Sequence, residues 1–328
     1  MQSRRATAIA NANIALIKYW GNRDKQLRLP ANPSLSMNLA GLETRTTVEF
    51  VEGLKEDEVV IGGEAQAGEA KERVTAHLDH VRALAGMTLP ARVESRNNFP
   101  AGAGIASSAS AFAALTLAGT AAAGLSLSER ELSALARRGS GSAARSIPAG
   151  FVEWQTGAAH EESFAFSIAP PDHWALADVV AVISKAHKAV GSTGGHAVAW
   201  TSPLQMARVV TAPERLQACR AALLSRDFPA FAEAVEADSN IMHAVMMTSS
   251  PPLYYWEPLT LAVMKAAPEW RAEGVPACFT IDAGPNVHCL CLADSAPAVE
   301  RRLRALGVAE TLTAHPGGAA RIVDESKV

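Results

Sequence analysis

Between Asn97 and Phe112 the chain reads NNFPAGAGIASSASAF, a glycine-rich segment between an extended stretch and a run of small apolar residues. Ala91 to Glu94 alternates as a strand does, and Ala109 to Ala123 reads as a buried helix. Gly102 and Gly104 permit left-handed backbone and close approach to a ligand. The first N–H groups of the helix, with the positive end of its dipole, make an anion site. Ser107 and Ser108 add hydroxyls that can cap the helix, bind phosphate oxygens or hold Mg²⁺. The chemistry this suggests is phosphate binding. A capped helix start without a ligand is the alternative, because the segment lacks the lysine of a P-loop and the spacing of a dinucleotide site.

Further segments carry residues able to do chemistry. In ANANIALIKYWGNRD, residues 10–24, Asn11 and Asn13 share one strand face and Lys18 follows the apolar run Ile14 to Ile17. An ammonium there is costly unless it meets an anion, the alternative being a snorkelling lysine at a strand end. In ARRGSGSAARSIPAGFVEW, residues 136–154, Ser140 and Ser142 sit in a turn of small residues, and Arg145 offers a bidentate fork for carboxylate or phosphate. A flexible turn with solvated arginines is the alternative. Gly191 to His196, with Ser192, is a second small-residue cradle or a plain loop. In FTIDAGPNV, residues 279–287, Asp282 ends a strand just before a turn. It either caps that turn or is a base held at the edge of a cleft.

Positioning these residues calls for both strands and helices. Strands are expected over residues 5–19, 45–51, 59–62, 151–155 and 163–168. A helix is expected over 69–85, where Val74, Leu78, Val81 and Leu84 recur at helical spacing. Another starts at the capping box Ser128 to Glu131 and runs through Arg137. Past the break at Ala169 to Asp172 come a buried strand over 179–184, helices around 203–225, 228–247 and 256–272, a hairpin of 276–281 with 287–292, and a helix over 296–306. Mixed elements with long connections give an α+β fold in two lobes, 1–172 carrying the glycine-rich loop and 173–328 carrying Asp282.

Composition excludes several classes. A chain of 328 residues with 48% hydrophobic and 19% charged residues has ample length for a core and is not disordered. A net charge of −3 without a block of like charges argues against a nucleic-acid arm. No apolar run reaches the ~20 residues of a membrane helix, and Met1 to Ala8 lacks the apolar region of a signal peptide. Cys219, Cys278, Cys289 and Cys291 form no C-x-x-C pair and read as reduced core residues of a cytoplasmic protein.

Taken in order, NIALIKYWGNRD with LPANPSLSMNL, NNFPAGAGIASSASAF, RRGSGSAARS with GFVEW, and FTIDAGPNV resemble the mevalonate diphosphate decarboxylase family of the GHMP kinase superfamily, over about residues 7–292. The resemblance implies a GHMP kinase-like fold with a ribosomal-protein-like N-terminal lobe and an α/β C-terminal lobe, acting with ATP and Mg²⁺. It implies phosphoryl transfer to the 3-hydroxyl of a 5-phosphorylated mevalonate, then loss of that phosphate together with CO₂. By the same resemblance, Asp282 orients or deprotonates the hydroxyl, Lys18 lies beside it, and Arg145 grips the substrate carboxylate. Asn98, Pro100, Gly102, Gly104, Ser107 and Ser108 form the ATP loop, the two serines also touching the metal. Tyr19, Asn22, Ser140, Ser142 and Ser192 contact the substrate. The expected partners are phosphorylated mevalonate and ATP, in a homodimer, with neither nucleic acid nor membrane.

Three departures from the family pattern bear on the substrate. Asn22 stands where the family has a lysine, Pro148 and Ala149 stand in a segment that has lost a tyrosine, and Gly194-Gly195-His196-Ala197 replaces a segment with an arginine. Each phosphate charge lost from a substrate needs one fewer cation, so the expectation is the 5-monophosphate, as in phosphomevalonate decarboxylases. Arg23, Lys185 or Lys188 could compensate by reaching in. A diphosphate substrate is the alternative. A small-molecule kinase is another, against which Arg145 speaks, since a kinase needs no carboxylate clamp. An RNA-binding module is disfavoured by the net charge and the 5% aromatic content.

Overall fold

The computed structural model describes residues 4–99, 107–185 and 190–323, so Pro100, Gly102, Gly104 and Lys188 lie outside the described residues. In chain order the elements are β1 (Arg5–Ile17), β2 (Asn22–Asp24), β3 (Leu29–Pro30), β4 (Ser34–Phe50), β5 (Glu58–Ile61), β6 (Glu64–Ala65), α1 (Gly68–Ala85), β7 (Ala91–Asn97), α2 (Ser107–Ala122), α3 (Glu129–Gly139), β8 (Phe151–Trp154) and β9 (Ala165–Ala169). There follow β10 (Leu176–Val182), α4 (Ser192–Val198), α5 (Gln205–Ser225), α6 (Phe228–Met247), α7 (Pro258–Ala272), β11 (Ala277–Thr280), β12 (Val287–Leu292), α8 (Ala296–Ala305), β13 (Glu310–Pro316) and β14 (Arg321–Ile322).

Among the described residues, twelve of these strands share one sheet with the path β11-β12-β10-β13-β4-β7-β5-β6. β1 and β8 also pair with β4. β4 is the organising strand. It pairs antiparallel with β1 from Arg5↔Glu49 to Ile17↔Leu35, and with β7 and β8 along other parts of its length. The sequence reading placed a strand only at 45–51. The first part of β4 carries Ser34, Ser36 and Asn38 in buried positions, and Leu35, Met37 and Leu39 on the alternate ones. Its polar residues are buried because they are bonded, Asn38 Nδ2 donating to the Pro148 carbonyl at 2.6 Å. β13 was not expected either. It pairs with β10 on one side and with β4 through His315↔Ala40, so strands from both sides of the turn at Pro171–His173 lie in one sheet.

Helices cover this sheet and complete three main cores. α2 is buried nearly all round because its residues are small, and with α1 and α3 it closes a core against β4 and β7. α3 opens with the expected capping box of Ser128 and Glu131. α5 and α6 close a second core on the other side of β1, and α7 and α8 a third against β10 to β12. All four cysteines are buried and free. Among the described residues no helix is long and apolar enough to cross a membrane.

Candidate active site

The segment after β1, the start of α2, the two-turn 3₁₀ helix Gly141–Ser146, the start of α4 and the turn after β11 converge on a cavity of about 470 Å³. β1 carries an apolar run into the core and leaves Lys18 one residue past its end, with its side chain 1% exposed. The main chain of Lys18 is held rigidly. Its N–H donates to Asp238 Oδ2 at 2.6 Å, and its carbonyl accepts from Asn32 Nδ2 at 2.9 Å and Arg208 Nη2 at 2.7 Å. The Lys18 Nζ donates to Asp282 Oδ1 at 2.6 Å. Among the described residues the Asp282 carboxylate is bonded by this lysine and not by its own turn. Burial works to raise the Asp282 pKa, but Lys18 above all, with His288 and Arg145, holds it below the ordinary carboxylate value. With 26% of its side chain exposed, Asp282 still faces the cavity. The result is an ionised carboxylate presented by a buried ammonium.

Arg145 is a second buried charge on the same cavity. Its Nη1 donates to Ser34 Oγ at 2.8 Å and its Nη2 to Asn13 Oδ1 at 3.3 Å, while its Nε has no partner among the described residues. Asn13 is itself oriented by donating to Ser146 Oγ at 2.8 Å. Asn11, on the same strand, is spent elsewhere, donating to the Gly318 carbonyl at 2.9 Å. No carboxylate forms an ion pair with Arg145 among the described residues. Burial draws its pKa down to about 10, with Asp282 opposing, so it remains charged at neutral pH. A buried guanidinium held by neutral partners and open to a cavity is a receptor for an anion.

The serines expected as ligand contacts meet here. Ser107, Ser108, Ser140 and Ser142 line the cavity, with Ser108 Oγ 3.2 Å from Ser140 Oγ and the latter 3.4 Å from Ser142 Oγ. The glycines among them are explained by packing. A Cβ on Gly141 would lie 2.5 Å from Tyr19 Cε1, and one on Gly139 2.1 Å from Phe112 Cδ1. Ser192 also lines the cavity, at the start of α4.

Tyr19 is buried against His196, with ring centroids 4.1 Å apart, and against Trp154 at 4.7 Å. Burial pushes its phenol up to about 12, and its hydroxyl donates to Asn22 Oδ1. His196 lies 4.6 Å from the Trp20 ring, and its Nδ1 accepts the Gly21 N–H at 2.9 Å, which places its proton on Nε2. Burial, then Arg28, Arg208 and Arg145, lowers its pKa to about 3. It is neutral at any working pH. Gly195 has to be glycine, because a Cβ would meet Trp20 Cη2 at 2.4 Å.

Asn98, just before residues 100–106, which lie outside the described residues, is not among the described lining of the cavity. Its side chain ties the end of β7 to β4, accepting the Glu43 N–H at 2.8 Å and donating to the Gly41 carbonyl at 3.0 Å. Asn22 does not itself line the described cavity; its side chain is bonded to Tyr19, which does. Lys185, beyond the end of β10, is paired with Glu310 at 2.5 Å on the surface, and neither it nor the exposed Arg23 lines the described cavity. The sequence reading missed Arg28, Glu69 and Arg73, all of which line the cavity. Glu69 and Arg73 are one helical turn apart beside the apolar stripe of α1, which is the signal that would have found them. Arg73 also borders a smaller cavity of about 130 Å³ lined mainly by Val59, Val74, Val93, Phe112 and Leu115.

Comparison with known proteins gives the family and the fold. The family model described as the diphosphomevalonate decarboxylase-like N-terminal domain matches residues 10–165, and the mevalonate 5-diphosphate decarboxylase C-terminal domain matches residues 178–316. The diphosphomevalonate decarboxylase of Aspergillus fumigatus is 38% identical over 324 residues, covering 92% of this chain and 80% of that protein. The phosphomevalonate decarboxylase of Haloferax volcanii is 37% identical over 325 residues, covering 98% of this chain and 99% of that one. Among solved structures, the mevalonate diphosphate decarboxylase of Enterococcus faecalis superposes with a TM-score of 0.91 at 37% identity, over 98% of this chain and 99% of that chain. A complex titled MDDEF with MVAPP, AMPPCP and magnesium has a TM-score of 0.92 at 37% identity, with the same coverage.

Proposed function

We propose, from its membership of the diphosphomevalonate decarboxylase family, to which this chain belongs, that it decarboxylates a 5-phosphorylated mevalonate with ATP and Mg²⁺, and that its substrate is the 5-monophosphate. The product is then isopentenyl phosphate, with CO₂, ADP and inorganic phosphate. A homodimer in a reducing cytoplasm is part of the same reading, and sedimentation velocity tests the dimer.

The site fits the nucleotide. The smaller cavity offers an apolar berth of a kind a purine ring would fill, Arg73 lies between it and the main cavity, and the Ser107 and Ser108 hydroxyls stand at the start of α2. Mg²⁺ takes oxygen ligands and keeps several waters, being held mostly through the phosphates it accompanies. Those two hydroxyls are of the right type, and no cluster of three or more His, Cys, Asp or Glu side chains occurs among the described residues. When bound, ATP with Mg²⁺ supplies the phosphoryl group that turns the tertiary 3-hydroxyl into a leaving group.

The side chains of this chain do the rest. Asp282 accepts a hydrogen bond from the 3-hydroxyl and takes its proton as the oxygen becomes a nucleophile. Lys18 keeps that carboxylate ionised and stabilises charge developing on the oxygens around it. Arg145, aimed by Ser34 and Asn13, clamps the substrate carboxylate so that the C1–C2 bond stays aligned with the bond leaving C3. As CO₂ departs, the C1–C2 electron pair becomes the C2–C3 double bond and phosphate leaves from C3. A kinase without decarboxylation would have no use for the Arg145 clamp.

One observation carries the monophosphate. Among the described residues, Gly191, Ser192, Thr193, Gly194 and His196 put no charge on their side of the cavity, because His196 is held as a neutral ring between Tyr19 and Trp20. A diphosphate needs cations along more of its length. The experiment is incubation with ATP, Mg²⁺ and each of mevalonate, its 5-phosphate and its 5-diphosphate, with phosphate and CO₂ measured separately. The reading expects kcat/KM to favour the monophosphate. Preference for the diphosphate overturns the substrate choice, and ADP formed without CO₂ overturns decarboxylation.

A further inference from the structure

Arg28 closes the turn between β2 and β3 with φ of 49°. The left-handed region crowds any Cβ, and hairpin loops normally place Gly or Asn there. The turn does not need the arginine. Asp24 Oδ1 accepts the Leu27 N–H at 2.7 Å, and Asn22 pairs with Pro30. A non-glycine residue held in such backbone is a pointer to function. Among the described residues the Arg28 guanidinium has no hydrogen bond and no ion pair, yet its side chain lines the main cavity. Arg28 lines the main cavity and not the smaller one, on the hairpin whose Asn22 is bonded to Tyr19, and its charge acts on Tyr19, His196 and Arg73. Arg73 approaches from α1, and its ordinary pKa is lowered by burial first and then by Arg28, with Glu69 opposing. Two neighbouring guanidiniums without a carboxylate bonded between them make a site for an anion.

We infer that Arg28 binds the 5-phosphate of the substrate, taking the part that Asn22 leaves vacant, and that it selects phosphorylated over unphosphorylated mevalonate. This rests on the proposed function for the class of ligand, not for the number of its phosphates. The ligand is the substrate phosphate and not that of the nucleotide, because Arg28 lines only the main cavity, on the hairpin bonded to Tyr19 through Asn22, whereas Arg73 also borders the apolar cavity.

The test is Arg28→Gly, which removes the guanidinium and suits the backbone. Its melting temperature should equal or exceed that of the wild type. Affinity for 5-phosphomevalonate, measured by calorimetry, should fall by about 10- to 100-fold, the range for one charge-assisted hydrogen bond. Affinity for unphosphorylated mevalonate, measured by competition, should fall far less, so the ratio between the two collapses. Arg28→Lys should restore part of that ratio. The inference is overturned if both ligands weaken equally, if neither weakens, or if binding of a non-hydrolysable ATP analogue is what is lost. A wild type that binds the diphosphate more tightly than the monophosphate refutes the proposed substrate, and Arg28 is then judged by the same ratio with the diphosphate as ligand. A wild type that binds mevalonate as tightly as either phosphorylated form refutes both.

Discussion

Replacing Asp282 by Asn tests the centre of the site with almost no change of shape. The wild-type carboxylate is bonded by Lys18 Nζ at 2.6 Å, and the lysine side chain is 1% exposed. The amide cannot accept the proton of the 3-hydroxyl, so turnover should fall by about 10²- to 10⁴-fold, the range for loss of a general base. Nucleotide affinity should stay within a few-fold, since Ser107, Ser108 and Arg73 are untouched. Stability should change in a way that identifies the partner. Burial already lowers the Lys18 pKa, and Asp282 is the main influence raising it. Without the carboxylate the folded-state pKa drops further. Between that value and the unfolded value of about 10.4 the unfolded chain binds more protons than the folded one, so stability rises with pH throughout the window. The variant should therefore melt progressively higher as pH is raised from neutrality, over a wider range than wild type. Single-turnover CO₂ release and thermal melts across pH measure both effects. Retention of more than about a tenth of wild-type kcat would reduce Asp282 to a turn residue, and superimposable melting profiles would show that Lys18 does not depend on it.

Other outcomes follow from the same contacts. Lys18→Met combined with Asp282→Asn should lose far less than the product of the two single losses, because the residues act as a unit; additive losses in a double-mutant cycle would separate them. Arg145→Gln should still transfer phosphate to the substrate but release CO₂ slowly, so ADP and CO₂ measured together should diverge; equal slowing of both would place Arg145 outside the carboxylate site. Asn22→Lys should raise kcat/KM for the 5-diphosphate relative to the 5-monophosphate, and an unchanged ratio would mean that position 22 does not face the second phosphate. Gly141→Ala should cost about 1–3 kcal/mol in denaturant melts, because its Cβ would meet the buried Tyr19 ring at 2.5 Å and force a repacking; wild-type stability would mean that the ring moves freely.

Much of the fold was legible where the apolar period matched the element. The helices α1, α3, α5, α6 and α7, and the hairpin of β11 and β12, lie where spacing placed them, to within a few residues at their ends. The first half of β4 was missed although Leu35, Met37 and Leu39 alternate, because Ser34, Ser36 and Asn38 between them read as loop residues. Those residues are buried and bonded to Arg145, Pro148 and Val152, contacts made across more than a hundred residues of chain. β13 was missed because its exposed positions break the apolar pattern, and it is held in place by strands on both sides. Lys18, Asp282 and Arg145 were legible as charges in apolar or small-residue contexts. That Lys18 stands beside Asp282 was expected only from the family resemblance, since the two are 264 positions apart in sequence and meet at 2.6 Å.

The substrate question shows where counting residues in a motif stops working. Asn22 and His196 suggested a cavity poorer in positive charge than the family pattern, but Arg28 and Arg73 line it from a hairpin turn and from α1. The described cavity thus carries cations besides Lys18 and Arg145. A motif read along the chain registers which cation is missing at a fixed offset. It cannot register one supplied by a different element. Selectivity for one phosphate over two then depends on how far the cations extend along the bound ligand, not on their total. Among the described residues the α4 wall contributes hydroxyls, glycines and a ring held neutral by its burial, while the Arg28 and Arg73 guanidiniums come from the β2–β3 turn and from α1. Charge-assisted bonds are each worth roughly 1.5–3 kcal/mol. A second phosphate facing the neutral wall would forgo them and lose its own hydration, which is the physical basis for expecting the monophosphate to be the better substrate.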